Sequence, residues 1–180
     1  MENEVSYGGM TFVPMLTREA IASEVARVAG EIARGCESEN PLFVCVLNGA
    51  FIFAADLMRE CGIPGAEITF IRLKSYEGTS STGNVKQVLG LTADVAGREV
   101  IIVEDIVDTG ATAVQLRQML AERGARSVKM ATLLFKPDSL RQGPAPEYVG
   151  FSIPKQFIIG YGLDIDEQAR NLPDIYVLKQ

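Results

Sequence analysis

The sequence predicts an α/β domain on a mainly parallel sheet flanked by helices, and three observations predict it. The centre of the chain alternates strand-like and helix-like segments in the order β-α-β-β-α-β. Two of the strand-like runs, Leu42-Phe43-Val44-Cys45-Val46-Leu47 and Val100-Ile101-Ile102-Val103, are continuously apolar, as strands buried in a sheet are. Each runs on into a turn of small residues that opens a helical pattern, Asn48-Gly49-Ala50 after the first and Asp108-Thr109-Gly110 after the second.

Taken in order, residues 17–34 read as an amphipathic helix. Thr17 can cap it, Glu19 sits in its first turn, and Ile21, Val25, Val28 and Ile32 form one apolar stripe. Leu42–Leu47 is a short strand, residues 51–60 a helix, and Glu67–Lys74 a less regular strand. Residues 75–86 contain Gly78, Thr79, Ser80, Ser81, Thr82 and Gly83, a long polar loop with little to bury. Residues 88–94 are expected to add a strand, and residues 98–105 form the buried strand that ends in adjacent acids. Residues 111–123 are helical, offering Val114, Leu116, Met119 and Leu120 to the core, with Gly124 as the stop. Ser127–Phe135 is a strand. After the rigid Gly143-Pro144-Ala145-Pro146, short β segments are expected at 148–153, 157–161 and Ile175–Leu178. The chain of 180 residues reads as one domain, with no internal repeat or linker.

Composition narrows the function. Apolar residues make up 47% and charged residues 22%, and the formal charge is −6 without any dense Lys/Arg run. Non-specific binding to nucleic acid or a membrane surface is therefore not expected. No stretch reaches the ~18 apolar residues of a membrane span. Met1-Glu2-Asn3-Glu4 lacks the apolar core of a signal peptide. Cys36, Cys45 and Cys61 are odd in number and widely spaced, which argues against a disulfide framework and for the reducing cytoplasm. There is no histidine. Ser-His-Asp and Cys-His catalysis and HExxH zinc sites are excluded, so acid–base work falls to carboxylates, lysines, tyrosines or a bound metal.

Ligands of open parallel sheets bind at the carboxyl ends of the strands. Three such ends stand out: Leu47-Asn48-Gly49-Ala50, Phe135-Lys136, and Glu104-Asp105-Ile106-Val107-Asp108-Thr109-Gly110-Ala111-Thr112. The third is the most informative. Its small-residue turn aims backbone N–H groups and a helix N-terminus at one spot, which suits a phosphate. The acids before it suit ribose hydroxyls and a divalent cation. The bland alternative is a solvated strand end followed by an ordinary turn and helix cap. Asp-Thr-Gly also marks aspartic proteases, but those need two facing copies in an all-β frame. Neither GxxxxGK[ST] nor GxGxxG after a strand is present.

The run Glu-Asp-Ile-Val-Asp-Thr-Gly-x-Thr between an apolar strand and a helix closely resembles the phosphoribosyl-diphosphate (PRPP) motif of type I phosphoribosyltransferases, in the form of their hypoxanthine (hypoxanthine-guanine) branch. Leu47-Asn48-Gly49-Ala50 resembles that family's pyrophosphate loop. Arg72-Leu73-Lys74-Ser75-Tyr76 and the polar stretch after it resemble its lid. Lys136, Phe157-Ile158-Ile159-Gly160-Tyr161-Gly162-Leu163-Asp164 and Arg170-Asn171-Leu172-Pro173 resemble its purine and pyrophosphate-side segments. The resemblance spans residues 11–178. It implies the type I phosphoribosyltransferase fold, with a small hood from residues 1–16 and 137–180 and a lid near 75–86.

The resemblance also implies roles. Glu104 and Asp105 would hold the ribose hydroxyls, directly or through Mg²⁺. Backbone N–H groups of Asp108, Thr109, Gly110, Ala111 and Thr112, with both threonine hydroxyls, would hold the 5′-phosphate. Asp108 would face the purine N7 as general base. Position 111 is lysine in some relatives and alanine here, which backbone contacts tolerate. Lys136 would donate to the purine O6, Phe157 would stack on the base, and Ile158 would meet it mainly through backbone. Asp164, on the purine side, would ligate a magnesium facing the pyrophosphate. Arg170 and the Leu47, Asn48 and Gly49 turn would hold pyrophosphate; relatives often hold the matching Leu47–Asn48 peptide cis, which sequence alone does not show. Ser75 and Tyr76 would close over the site and exclude water.

The implied activity is Mg²⁺-dependent transfer of phosphoribosyl from PRPP to hypoxanthine, and to guanine as well, giving IMP or GMP in purine salvage. A homodimer or homotetramer is implied, without nucleic-acid or membrane partners. Rival readings are a phosphoribosyltransferase for xanthine or a pyrimidine, and a non-catalytic, nucleotide-sensing RNA-binding regulator on the same fold.

Overall fold

The structure is a computed structural model that describes residues 4–74 and 86–179. In chain order its elements are β1 (Val5–Tyr7), β2 (Met10–Leu16), α1 (Arg18–Gly35), β3 (Leu42–Leu47), α2 (Phe51–Cys61), β4 (Glu67–Lys74), β5 (Lys86–Leu89), β6 (Glu99–Val107), α3 (Ala111–Glu122), β7 (Ser127–Phe135), a 3-10 turn (Pro137–Ser139), β8 (Tyr148–Ser152), β9 (Ile158–Ile159) and β10 (Ile175–Leu178). The main sheet runs β5-β4-β3-β6-β7-β8. Five neighbouring strands are parallel and β5 closes one edge antiparallel. A second sheet, β1-β2-β10-β9, is antiparallel and forms the hood.

Alternation along β3 divides the core. Phe43 and Cys45 pack with Ile101 and Val103 under α1 and α2, whose stripe Ile21, Val25, Val28 and Ile32 is buried. Leu42 and Val44 pack with Val100 and Ile102 under Leu116 and Leu120 of α3. Successive side chains of a strand face opposite ways, so a strand between two helical layers must be apolar at every position. Thr17 caps α1 by accepting from the Ala20 N–H at 3.3 Å.

Three expectations are corrected. The strand expected to end in Glu104 and Asp105 runs on to Val107, because the ladder with β7 continues through Ile106↔Leu134 and Val107↔Phe135. The strand expected at 88–94 is β5, Lys86–Leu89, after which Leu91 turns into the core and Asp94 accepts from the Ala96 N–H in a turn. The hood does not take in all of 137–180: β8 pairs parallel with β7 and extends the main sheet.

At the opposite edge of the sheet from the strand ends sits a buried carboxylate. Glu99 Oε2 accepts from the Glu37 and Ser38 N–H groups at 3.1 and 3.2 Å, and Oε1 pairs with Lys129 Nζ at 3.1 Å. Lys129 also donates to the Gly35 carbonyl at the end of α1, at 2.7 Å. Burial alone would raise the Glu99 carboxyl, but Lys129 and the Glu37 N–H outweigh it and hold it below the usual range. This contribution to stability is therefore fully present above about pH 4.5 and is lost as pH falls through the lower folded value. Glu99→Gln is expected to cost about 1–3 kcal/mol at neutral pH in urea unfolding. The difference from wild type should shrink on acidification; a constant difference down to about pH 3 would remove the carboxylate from this role.

Candidate active site

β3, β6 and β7 all end at one edge of the sheet, where Leu47, Val107 and Phe135 give way to turns. β3 passes through Asn48-Gly49-Ala50 into α2, and β6 through Asp108-Thr109-Gly110 into α3. α3 opens at Gly110, which has no side chain to cap it, and the Thr109 hydroxyl accepts from the Ala111 N–H at 3.5 Å. The first turn of α3 helps to line a 110 Å³ cavity, together with Glu104 and residues 106–110. Gly110 cannot be replaced cheaply. Its φ is +85°, and a Cβ there would lie 2.2 Å from the Gln142 carbonyl oxygen. That neighbouring segment is tied to the loop, since the Arg141 and Gln142 N–H groups donate to the Thr109 carbonyl at 3.0 and 3.1 Å.

Beside this cavity, Lys136 Nζ meets Asp108 Oδ2 at 3.2 Å. Lys136 is buried at the end of β7, held there because its N–H donates to the Val107 carbonyl. An ammonium buried to this degree needs a counter-charge, and Asp108, half-exposed, supplies it.

A second cavity, 280 Å³, is lined by Leu47, Asn48, Gly49, Glu104, Asp105, Thr112, Asp164 and Arg170, with Val46 and Leu73. The Leu47–Asn48 peptide is cis. Gly49 is required by its surroundings: a Cβ there would fall 1.6 Å from Asp105 Oδ2. Gly162, at φ +100°, would bring a Cβ within 2.1 Å of the Gly49 carbonyl. Arg170 pairs with Asp164 at 2.9 Å and Glu167 at 2.8 Å, and donates to the Gly162 carbonyl at 2.8 Å. Asp164 also accepts from the Glu167 N–H at 2.9 Å.

Burial raises the carboxyl of Glu104 well above the usual range, and the Asp105 charge adds to it. Burial pushes Asp105 up to about 6, against its bonds to the Ile106 N–H and its own backbone. Two adjacent carboxylates in this condition suit a divalent cation. Among the described residues no three His, Cys, Asp or Glu side chains converge on one point. Magnesium needs no such cluster, since it is held by one or two carboxylates, waters and substrate phosphates. Glu104 and Asp105 on one wall and Asp164 on the other are the residues that could hold it.

Not every expected residue joins these cavities. Phe157 is 46% exposed and its ring leans on Phe12, centroids 5.9 Å apart; Ile158 is buried in the core. Neither lines the two cavities. Ser75 and Tyr76 lie outside the described residues. A further hollow, 480 Å³, lies between α1, α2, Tyr161 and residues 171–173, away from the loop of residues 108–112.

Sequence reasoning missed the backbone of residues 160–170. Tyr161, Asp166, Glu167 and Ala169 all have positive φ, from 48° to 69°, a conformation costing about 1–3 kcal/mol for each non-glycine residue. It also missed the hydrogen bond from Tyr161 Oη to Asp56 Oδ2 at 2.6 Å. The repeated glycines of Gly160-Tyr161-Gly162 were the available signal for the first. Nothing in the sequence signals the second, because Asp56 reads as a solvated helix position.

The model of the phosphoribosyl transferase domain family matches residues 15–166. A hypoxanthine-guanine phosphoribosyltransferase of Streptococcus thermophilus (strain CNRZ 1066) is 40% identical over 167 residues, covering 92% of this chain and 92% of that protein. One from Lactococcus lactis subsp. lactis (strain IL1403) is 41% identical over 169 residues, covering 92% and 90%. The crystal structure of a hypoxanthine-guanine phosphoribosyltransferase from Bacillus anthracis superposes with a TM-score of 0.86 at 37% identity, covering 93% of this chain and 96% of that one.

Asp105 yields a test independent of activity. Raised from 3.8 to about 6, it holds its proton more tightly folded than unfolded. Its ionisation therefore weakens the fold as pH rises through that interval, by roughly 1–3 kcal/mol, and the penalty persists above it. Asp105→Asn is expected to raise the melting temperature of the cation-free protein at about pH 8 and change it little at about pH 4. Equal changes at both pH values, by calorimetry in a chelator, would reject this account.

Proposed function

The chain belongs to the phosphoribosyl transferase family, and on that premise we propose that it moves the 5-phosphoribosyl group of PRPP onto hypoxanthine, and onto guanine as well, releasing pyrophosphate in purine salvage. The observation that carries this reading is the pairing of Asp108 with Lys136 at 3.2 Å beside the phosphate loop. It puts a proton acceptor and a hydrogen-bond donor together where a 6-oxopurine needs both. The names of the relatives favour hypoxanthine and guanine over xanthine or a pyrimidine, and an enzyme over an RNA-binding regulator.

The geometry supports a division of tasks. The N–H groups of residues 108–112, at the start of α3, hold the 5′-phosphate. The Thr109 and Thr112 hydroxyls add to them. Arg170 and the Leu47, Asn48 and Gly49 turn hold pyrophosphate, for which a guanidinium fork is well shaped. Glu104 and Asp105 bind the ribose hydroxyls and, with Asp164, are the residues for Mg²⁺. Bound Mg²⁺ supplies charge neutralisation for the departing pyrophosphate.

As the bond from the anomeric carbon to pyrophosphate breaks, the ribose gains oxocarbenium character and the purine nitrogen bonds to that carbon. Asp108 takes the proton the purine must lose, at N7, and returns it in the reverse direction. Lys136 donates to O6. Adenine presents an amino group at that position, which leaves the buried ammonium without an acceptor. Phe157 stacks on the base from the hood, Ile158 contacts it through backbone, and Ser75 and Tyr76 cover the site. The chain is one domain, with the hood over the strand ends. A homodimer or homotetramer fits the exposed Phe51, Ile68 and Phe70, and sedimentation velocity reads it. A cytoplasmic location fits the three free thiols. No helix of the described residues is long and apolar enough to cross a membrane.

Purified protein with PRPP and Mg²⁺ is expected to release pyrophosphate with hypoxanthine and guanine, far more slowly with xanthine and hardly at all with adenine. Asp108→Asn should lower turnover about 10²–10⁴-fold while PRPP affinity stays within about threefold of wild type. No Mg²⁺-dependent release with any 6-oxopurine would sink the assignment, and undiminished turnover in the variant would take the proton from Asp108.

A further inference from the structure

The segment that carries Asp164 and Arg170 is held in a demanding conformation. Six of the ten residues from 160 to 169 have positive φ, and four of them, Tyr161, Asp166, Glu167 and Ala169, are not glycine. Many of its hydrogen bonds are internal or run to Leu172: Gly160 N–H to the Leu163 carbonyl, Gly162 N–H to Arg170, Tyr161 N–H to Leu172. Such bonds shape the loop but do not fix where it stands against the rest of the molecule.

Leu163, Ile165 and Ala169 pack it into the core and Glu167 pairs with Arg72 at 3.9 Å, and its buried side-chain hydrogen bond to a helix of the body is made by Tyr161. The side chain is 7% exposed, and its hydroxyl donates to Asp56 Oδ2 at 2.6 Å. Asp56 is fixed in turn, because Oδ1 pairs with Arg59 one helical turn on, at 2.8 Å. Asp56 lies on α2, the helix that opens from the pyrophosphate turn at Asn48-Gly49-Ala50. The residue after Tyr161 is Gly162, whose backbone rests against the Gly49 carbonyl and whose own carbonyl accepts from Arg170. The bond therefore links the two walls of the pyrophosphate cavity at one remove from each.

We infer that the Tyr161–Asp56 hydrogen bond is a positioning device for the pyrophosphate half of the site, setting Arg170 and Asp164 at working distance from the Asn48-Gly49 turn. Tyr161 and Asp56 touch no substrate in this account; they act through Gly162 and α2. A displacement of about 1 Å suffices to weaken a polydentate anion site. Asp108 and Lys136, which follow the ends of β6 and β7, stand outside this link. The inference rests on the family reading of the cavity, and the test separates the two.

Binding of Mg²⁺-pyrophosphate is measured by calorimetry, with KM for PRPP and for hypoxanthine alongside. Tyr161→Phe keeps the ring and deletes the hydroxyl; Asp56→Ala deletes the acceptor; Asp56→Asn keeps an oxygen that can accept. The first two are expected to weaken pyrophosphate about tenfold and raise KM for PRPP similarly, with KM for hypoxanthine within about twofold and Asp56→Asn close to wild type. If Tyr161→Phe does not fold, the two Asp56 variants carry the comparison. A purely structural bond would lower the melting temperature without this split between substrates, and that result overturns the inference. So does equal weakening of both substrates. A wild-type protein that binds no pyrophosphate overturns the reading of the cavity instead.

Discussion

The site depends on three segments of the chain being able to meet at Gly49. On one side the Asp105 carboxylate fills the space that a Cβ would need; on another, Gly162 comes against the Gly49 carbonyl. Those contacts bring the end of β6, the turn after β3 and the loop leading out of β9 to one point, although they are far apart in sequence. A side chain at either glycine would hold the segments apart by more than an ångström, and the cavity between Glu104, Asp105, Asp164 and Arg170 would not form. The parallel register of β3, β4, β6 and β7 makes the meeting possible by ending the strands at one edge.

Electrostatics at that edge is arranged in two different ways. Around Asp108 the charge is balanced within the protein, by the ammonium of Lys136. Around Glu104 and Asp105 it is not: burial raises both carboxyls, and Asp164 adds repulsion at Asp105 that Arg170 offsets. The first arrangement offers a pair of hydrogen-bonding groups without net charge, as a neutral ring would need under the proposed function. The second leaves two acids in a condition that a cation relieves. The buried Glu99 at the far edge shows the alternative, a carboxylate fully answered by Lys129 and two N–H groups and held low.

Much of this was legible in the sequence because it is local. Leu42–Leu47 and Ser127–Phe135 have the expected bounds, since continuous apolar runs bounded by turns specify buried strands. The loop from Asp108 to Thr112 was legible because small residues between strand and helix have few other uses. What sequence did not reveal is set by tertiary pairing. β6 outlasts its apolar run because β7 continues beside it, and β8 leaves the hood because a partner edge is free on β7. The Tyr161–Asp56 bond spans 105 residues, and the positive φ values of Asp166 and Glu167 come from loop closure rather than from residue type.

The two charge arrangements divide the response to the surrounding solution. On the proposed assignment, a ring that enters between Asp108 and Lys136 would meet a pair without net charge, so dissolved ions would have little to screen there. A diphosphate that enters between Arg170 and the backbone N–H groups crosses a region where fixed charges are only partly answered, and dissolved ions compete with it directly. On the proposed assignment, the purine half would carry its own counter-charge while the sugar-phosphate half would stay exposed to the ionic surroundings. The chain would then present each substrate with a different effective solvent.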